Sequence, residues 1–121
     1  MVIYETKITK IGVQAQELTQ IGLAIIFNED APPELAEISF LHTIEELKGE
    51  VKRGDFLVID GQLFEIEEVG SEVNKNLQLL GHCTLKFENV TSLLPGDMRL
   101  KGVLPNMKIG TILTIYRKDE N

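Results

Sequence analysis

The sequence predicts an all-β fold: a closed or nearly closed antiparallel barrel or sandwich of about seven or eight strands, with one or two short helices. Three observations carry this reading. Short β-branched and aliphatic runs recur along the chain, bounded by Gly, Pro, Asn or Asp. The pair Asp60-Gly61 separates two apolar runs, the signature of a tight hairpin whose central residues take positive φ. Helical periodicity is confined to brief segments. Short strands, frequent glycine turns and little helix suit a sheet closed on itself or stacked in two layers, and the pattern does not separate the two.

Each element has its own signal. Residues 2–11 alternate, with Val2, Tyr4, Thr6 and Ile8 on one face and Glu5, Lys7 and Thr9 among those on the other. Residues 13–20, between Gly12 and Gly22, fit one or two turns of helix. Residues 23–27 read as a buried strand, ended by Asn28-Glu29-Asp30 and the Pro32-Pro33 break. A further strand is predicted over 36–43, and residues 56–59 and 63–69 flank the hairpin turn. Over 72–80, Val73, Leu77 and Leu80 share a helical face, with Gly81 placed to end the helix. Strands over 82–87, 98–103 and 111–117 complete the set.

The 121 residues are expected to form one domain, 1–121. A chain of this size buries roughly two-thirds of its unfolded surface, enough for one core without disulfides. With 43% hydrophobic residues, no Trp, five Phe and two Tyr, that core is mostly aliphatic. Nineteen acidic residues against twelve basic leave a net charge of −7, which disfavours nucleic-acid phosphate and anionic lipid and suits a basic partner surface. The single Cys83 has no internal partner and fits a reducing compartment. The N-terminus lacks the features of a signal peptide, and the longest nearly apolar run, 21–27, is far too short to span a bilayer. The expected location is the cytoplasm.

Several chemistries lack their residues. There is no G-x-x-x-x-G-K-[ST] loop, no G-x-G-x-x-G after a strand and no G-x-S-x-G elbow. A structural zinc site draws four Cys or His ligands, and this chain has His42, His82 and Cys83 in all. A catalytic zinc on His42, His82 and a carboxylate has no recognisable ligand spacing; no metal is expected.

The two histidines remain. On a strand, His42 shares its face with Ile38, Phe40 and Ile44, while His82 shares its face with Thr84 and Lys86. His42 therefore reads as a partly buried ring near the core edge, and His82 as a ring facing solvent. The functional alternative is a phosphoryl-accepting histidine. That role needs one neutral nitrogen exposed and the other held by a hydrogen bond that fixes tautomer and ring direction. An apolar collar suits transient docking of another protein. His42, at the end of an apolar strand and followed by Thr43, fits that description. Glu45 and Glu46 read as a solvated turn, and Lys48 is placed to steady phosphate charge.

A larger pattern joins these pieces. Val2-Ile3-Tyr4, Thr9-Lys10-Ile11-Gly12, Phe40-Leu41-His42, Glu46-Leu47-Lys48-Gly49, Leu80-Gly81-His82-Cys83-Thr84-Leu85-Lys86-Phe87 and Pro95-Gly96 occur in order through almost the whole chain. In this combination the sequence resembles the IIA component of the glucitol/sorbitol-specific branch of the bacterial sugar phosphotransferase system. The family segment carries a second histidine shortly after the first, where this chain has Thr43 and Ile44.

The resemblance implies a phosphocarrier that works without a dissociable cofactor. The residue matching the family's phosphoryl acceptor is His42. It would receive phosphate from the histidine-containing phosphocarrier protein and pass it to a cysteine of the IIB unit of a glucitol/sorbitol permease. His82 matches the second histidine segment and is a candidate accessory. Ile38, Phe40, Leu41 and Ile44 are candidates for a docking face, with Glu45 and Glu46 on its rim. The rival reading is a non-catalytic acidic β-barrel that binds or regulates other proteins. Exposure separates them: a nucleophile presents a ring nitrogen, whereas a structural histidine has both nitrogens buried and bonded.

Overall fold

A computed structural model describes residues 1–88 and 90–118. The alternating N-terminal run forms β1 (Val2–Ile11), followed by α1 (Ala15–Thr19) and β2 (Leu23–Asn28). After α2 (Pro33–Ala36) comes the short β3 (Phe40–His42). β4 (Phe56–Ile59) and β5 (Gln62–Val69) make the hairpin, with Asp60 at φ 45° and Gly61 at φ 87°, the positive values its two-residue turn requires. α3 (Val73–Leu80) then leads to β6 (Cys83–Lys86), β7 (Asp97–Leu100) and β8 (Ile112–Tyr116).

The eight strands close into a barrel in the order β1-β3-β2-β6-β7-β5-β4-β8, which decides for a barrel over a sandwich. Two features differ from the expected pattern. The barrel is mixed: β2 and β3 run parallel, as do β6 and β7, while the other six pairings are antiparallel. Each parallel pair is joined by a crossing connection, residues 29–39 and 87–96, because a tight turn can only reverse the chain. One such connection holds α2, a helix beyond the one or two expected. Pro33 stands at its start, where a missing N–H costs nothing and the fixed φ is already helical, so the expected strand over 36–43 shrinks to Phe40–His42.

The barrel interior is aliphatic with a few rings. Ile3, Ile66, Leu85 and Met98 are fully buried, and Phe64 meets Phe87 edge-on at 5.4 Å between centroids. The β6–β7 pair carries a buried ion pair, Lys86 with Asp97, and Lys86 Nζ also donates to Ser92 O at 3.2 Å. The long connection from β3 to β4 is fastened to α3 by Asn74. Its Oδ1 accepts from Val51 N at 2.7 Å and its Nδ2 donates to Val51 O at 3.0 Å. This clasp holds the N-terminal turn of α3, whose other end leads through Gly81 to the site.

Candidate functional site

His42 closes β3, between Ile8 of antiparallel β1 and Asn28 of parallel β2. Its side chain is 0% exposed. With a strand on either side and α3 reaching over its end, β3 has no open face: Phe40, Leu41 and His42 are all buried. The period-two alternation expected here therefore fails.

The ring is held on both edges. On the Nδ1 side stand Thr6 Oγ1 at 2.9 Å and the Thr43 carbonyl at 3.0 Å. Thr6 Oγ1 donates its own proton to Thr43 O at 2.8 Å, so its lone pairs face the ring, and Thr43 Oγ1 lies 2.8 Å away as its second partner. Both groups thus call for a proton on Nδ1. On the opposite edge the Gly81 carbonyl stands 2.7 Å from Nε2 and calls for a proton there as well. A neutral imidazole has one N–H, so one edge must face acceptor to acceptor; only the imidazolium satisfies both. Burial nonetheless pushes the His42 pKa down, outweighing the two carbonyls and the charges of Glu29 and Glu45. The ring is neutral, and both its nitrogens are buried and bonded, which by the exposure criterion is the resting geometry of a structural histidine rather than of a nucleophile presenting a nitrogen.

Tyr4 stands edge-on to His42, 6.2 Å between centroids. Its phenol is pushed up to about 12 by burial and then by Glu45, and its hydroxyl has no hydrogen-bond partner among the described residues. Gly81 ends α3 in the left-handed region at φ 59°. A Cβ there would overlap Asn28 Oδ1 and stand 2.7 Å from His42 Cε1, so both side chains close over the side of Gly81 on which any other residue would carry its side chain.

His82 follows directly and is half-buried rather than facing solvent. Its ring tilts against Phe27 at 4.9 Å, and its Nδ1 lies 3.3 Å from Ile26 O, which can only accept. The two rings thus meet through the backbone of Gly81 rather than through a shared ligand. Among the described residues no group of three or more His, Cys, Asp and Glu could hold a metal ion.

Other expected site residues separate into two groups. Phe40 and Leu41 belong to the core and offer no docking surface, a correction that follows from the covered faces of β3. Ile38 is half-buried, whereas Ile44, 56% exposed, lies on the surface with Glu45 and Glu46. A groove beside the Nδ1 edge is lined by Glu5, Thr6, Lys7, Thr43, Glu45 and Lys48, which places Lys48 near the site. Thr6, Asn28 and Gly81 escaped the sequence reading as site residues. Thr6 left one signal, a hydroxyl on the apolar face of Val2, Tyr4 and Ile8; Asn28 and Gly81 carry only the marks of a strand end and a helix end.

Comparison with known proteins matches the chain to a family. Residues 3–114 match the family described as PTS system glucitol/sorbitol-specific IIA component. The chain is 36% identical over 106 residues to the PTS system glucitol/sorbitol-specific EIIA components of Shigella flexneri and of Escherichia coli (strain K12), covering 87% of this chain and 86% of each relative. It is also similar to the crystal structure of a PTS system IIA component from Enterococcus faecalis V583, with a TM-score of 0.85 and 28% identity over 94% of this chain and all of that one. IIA components are phosphotransferase components that carry phosphate on histidine. The mixed eight-stranded barrel built around His42 belongs to the glucitol/sorbitol-specific IIA components of the phosphotransferase system.

Proposed function

We propose that His42 is the phosphoryl acceptor of this phosphocarrier, and that residues 1–121 act as one IIA domain in the cytoplasm. The donor is the histidine-containing phosphocarrier protein, and the receiver is the IIB unit of a glucitol/sorbitol permease. The carrying observation is the Nδ1 edge of His42, where Thr43 O, which can only accept, stands at 3.0 Å and Thr6 Oγ1 at 2.9 Å. With the proton on Nδ1, the lone pair lies on Nε2. As the donor's N–P bond breaks, an Nε2–P bond forms and the leaving imidazole keeps the electron pair. The ring proton stays on Nδ1 throughout. Onward transfer breaks Nε2–P as a cysteine thiolate of the IIB unit forms its S–P bond. Attack at Nε2 requires the Gly81 carbonyl, 2.7 Å away in the resting protein, to leave. Positioning and charge stabilisation supply the rest.

One observation favours a second reading. The His82 ring is half-buried, and its Nδ1 faces Ile26 O, which fixes the proton there and leaves Nε2 as the lone-pair nitrogen. His82 would then be the acceptor and His42 a structural ring with both nitrogens bonded. Phosphate incorporation from phosphoenolpyruvate through the general phosphotransferase proteins separates the two. Loss of an acid-labile label in His42→Ala, with label retained in His82→Ala, supports His42. The converse pattern moves the role to His82. No label on folded wild type with competent general proteins overturns both and supports a non-catalytic interaction domain.

A further inference from the structure

A phosphoryl group on His42 Nε2 cannot share the place of the Gly81 carbonyl, which stands 2.7 Å from that nitrogen. Something must move, and the surrounding contacts decide what. The Nδ1 edge ties the ring to Thr6 and Thr43. Swinging the end of α3 aside would draw Val73 and Leu77, both buried, out of the core. The peptide between Gly81 and His82 is the smallest unit that can clear the nitrogen. Its carbonyl faces His42, and its N–H donates to Asn76 O at 3.2 Å, a long bond beside the 3.0 Å from Gly81 N to Leu77 O. Turning this one peptide over leaves α3 and β6 in place.

Two observations fit that motion. Gly81 sits at φ 59° and ψ 24°. Half a turn in ψ carries it to about −155°, a region of positive φ open essentially to glycine alone. A left-handed helix end by itself would also accept asparagine. The second observation is Asn28, which ends β2 beside His42 and is 8% exposed. Its Oδ1 has no hydrogen-bond partner among the described residues, and natural folds rarely leave a buried acceptor unpaired. That oxygen lies against Gly81 where a Cβ would stand, and at ψ 24° the carbonyl leaves Cα on the same side. At rest, acceptor therefore lies beside acceptor. The turned peptide offers Asn28 Oδ1 an N–H instead.

We propose that the Gly81–His82 peptide is the gate of His42 and that Asn28 is its positioning residue: as the peptide turns over, the carbonyl leaves Nε2 and the His82 N–H donates to Asn28 Oδ1. The proposal rests on the reading that His42 takes the phosphoryl group at Nε2. The turned carbonyl faces the carbonyl end of α3, so the closed form prevails at rest. A phosphoryl group on Nε2 excludes the closed form and makes the open one dominant. The exchange also puts a donor in place of an acceptor on the side where the phosphoryl oxygens arrive.

The test identifies the acceptor of the His82 amide by scalar coupling across its hydrogen bond, read by NMR before and after phosphorylation from phosphoenolpyruvate. Mapping the wild-type label comes first, and a label away from His42 Nε2 overturns both this proposal and the reading beneath it. With the label there, the His82 nitrogen is expected to couple to the Asn76 carbonyl carbon at rest and to Asn28 Cγ once phosphorylated. A coupling to Asn76 that survives phosphorylation overturns the proposal alone, as does its loss with none to Asn28. Because this is read on wild type, it decides the matter even where a variant folds poorly. Asn28→Leu keeps the size of the side chain and removes the acceptor. It should slow phosphoryl uptake roughly 3- to 10-fold, the worth of one neutral hydrogen bond, without a matching loss of melting temperature. Wild-type uptake in Asn28→Leu, or slowing that only tracks a lowered melting temperature, overturns the role of Asn28.

Discussion

At His42 a single neutral ring faces three oxygen acceptors, and its protonation state sets both chemistry and stability. Under the proposed role the neutral imidazole is the nucleophilic form, and the burial that hides the ring also favours that form. The same burial ties folding to pH. Because the folded pKa is lowered below the ordinary value of about 6.5, the unfolded chain takes up this proton first as pH falls. The stabilisation is complete above that value and is lost progressively as pH drops through it toward the folded pKa. Melting temperature should therefore fall between about pH 7.5 and about pH 5.5, and His42→Gln, which cannot titrate, should flatten that slope. An unchanged slope in His42→Gln would assign the acid sensitivity to other groups.

The element that decides access to His42 is α3. Asn74 near its start fastens it to Val51, and Gly81 at its end lays a carbonyl on Nε2. Ending the helix at a left-handed residue turns the chain sharply enough to start β6 two residues later with His82 beside the site. Gly81→Ala carries two penalties: a left-handed φ costs an L-residue about 1–2 kcal/mol, and the new Cβ overlaps the Asn28 side chain. A urea titration should show a loss of at least about 2 kcal/mol from the two terms together. Phosphoryl uptake should fall as well, because the methyl group would stand against His42 Cε1. A variant with wild-type midpoint and wild-type uptake would mean that the junction yields easily and does not control the ring.

For the whole molecule, closure of the barrel depends on joining two parallel pairs to antiparallel neighbours. At one of these junctions Lys86 and Asp97 are buried together, the lysine also bonded to Ser92 and Asp97 Oδ2 accepting from Leu94 N at 2.7 Å. Removing one partner of such a pair strands the other charge, which costs about 3–5 kcal/mol in comparable sites. Asp97→Ala should lose that much in denaturant, and the double change Lys86→Met with Asp97→Ala should recover a large part of it. Failure of the double variant to recover stability would show that packing, rather than the stranded charge, dominates. Of the expected docking face, Ile44, Glu45 and Glu46 are the part that lies exposed, an apolar side chain followed by two carboxylates.

Local chemistry made much of this protein legible before its fold was known. The Asp60-Gly61 hairpin, the helix ended by Gly81 and the positions of the strands follow from the conformational preferences of neighbouring residues, which act over a few bonds. The ordered family segments singled out His42. Tertiary structure alone decided the two parallel pairings, the helix at Pro33–Ala36 and the closure of the barrel, because these depend on where a connection lands rather than on its composition. It also buried both histidines further than expected, His42 completely and His82 partly; a strand covered on every side buries Phe40, Leu41 and His42 whatever their alternation. Thr6, Asn28 and Gly81 reach His42 from distant parts of the chain, and only barrel closure brings them together. Sequence by itself determined most of the strands, the hairpin and the helix ended by Gly81, and it singled out His42 as the proposed acceptor. The tertiary structure decided what surrounds that residue, because burial and hydrogen bonding are set by long-range contacts that no local pattern encodes.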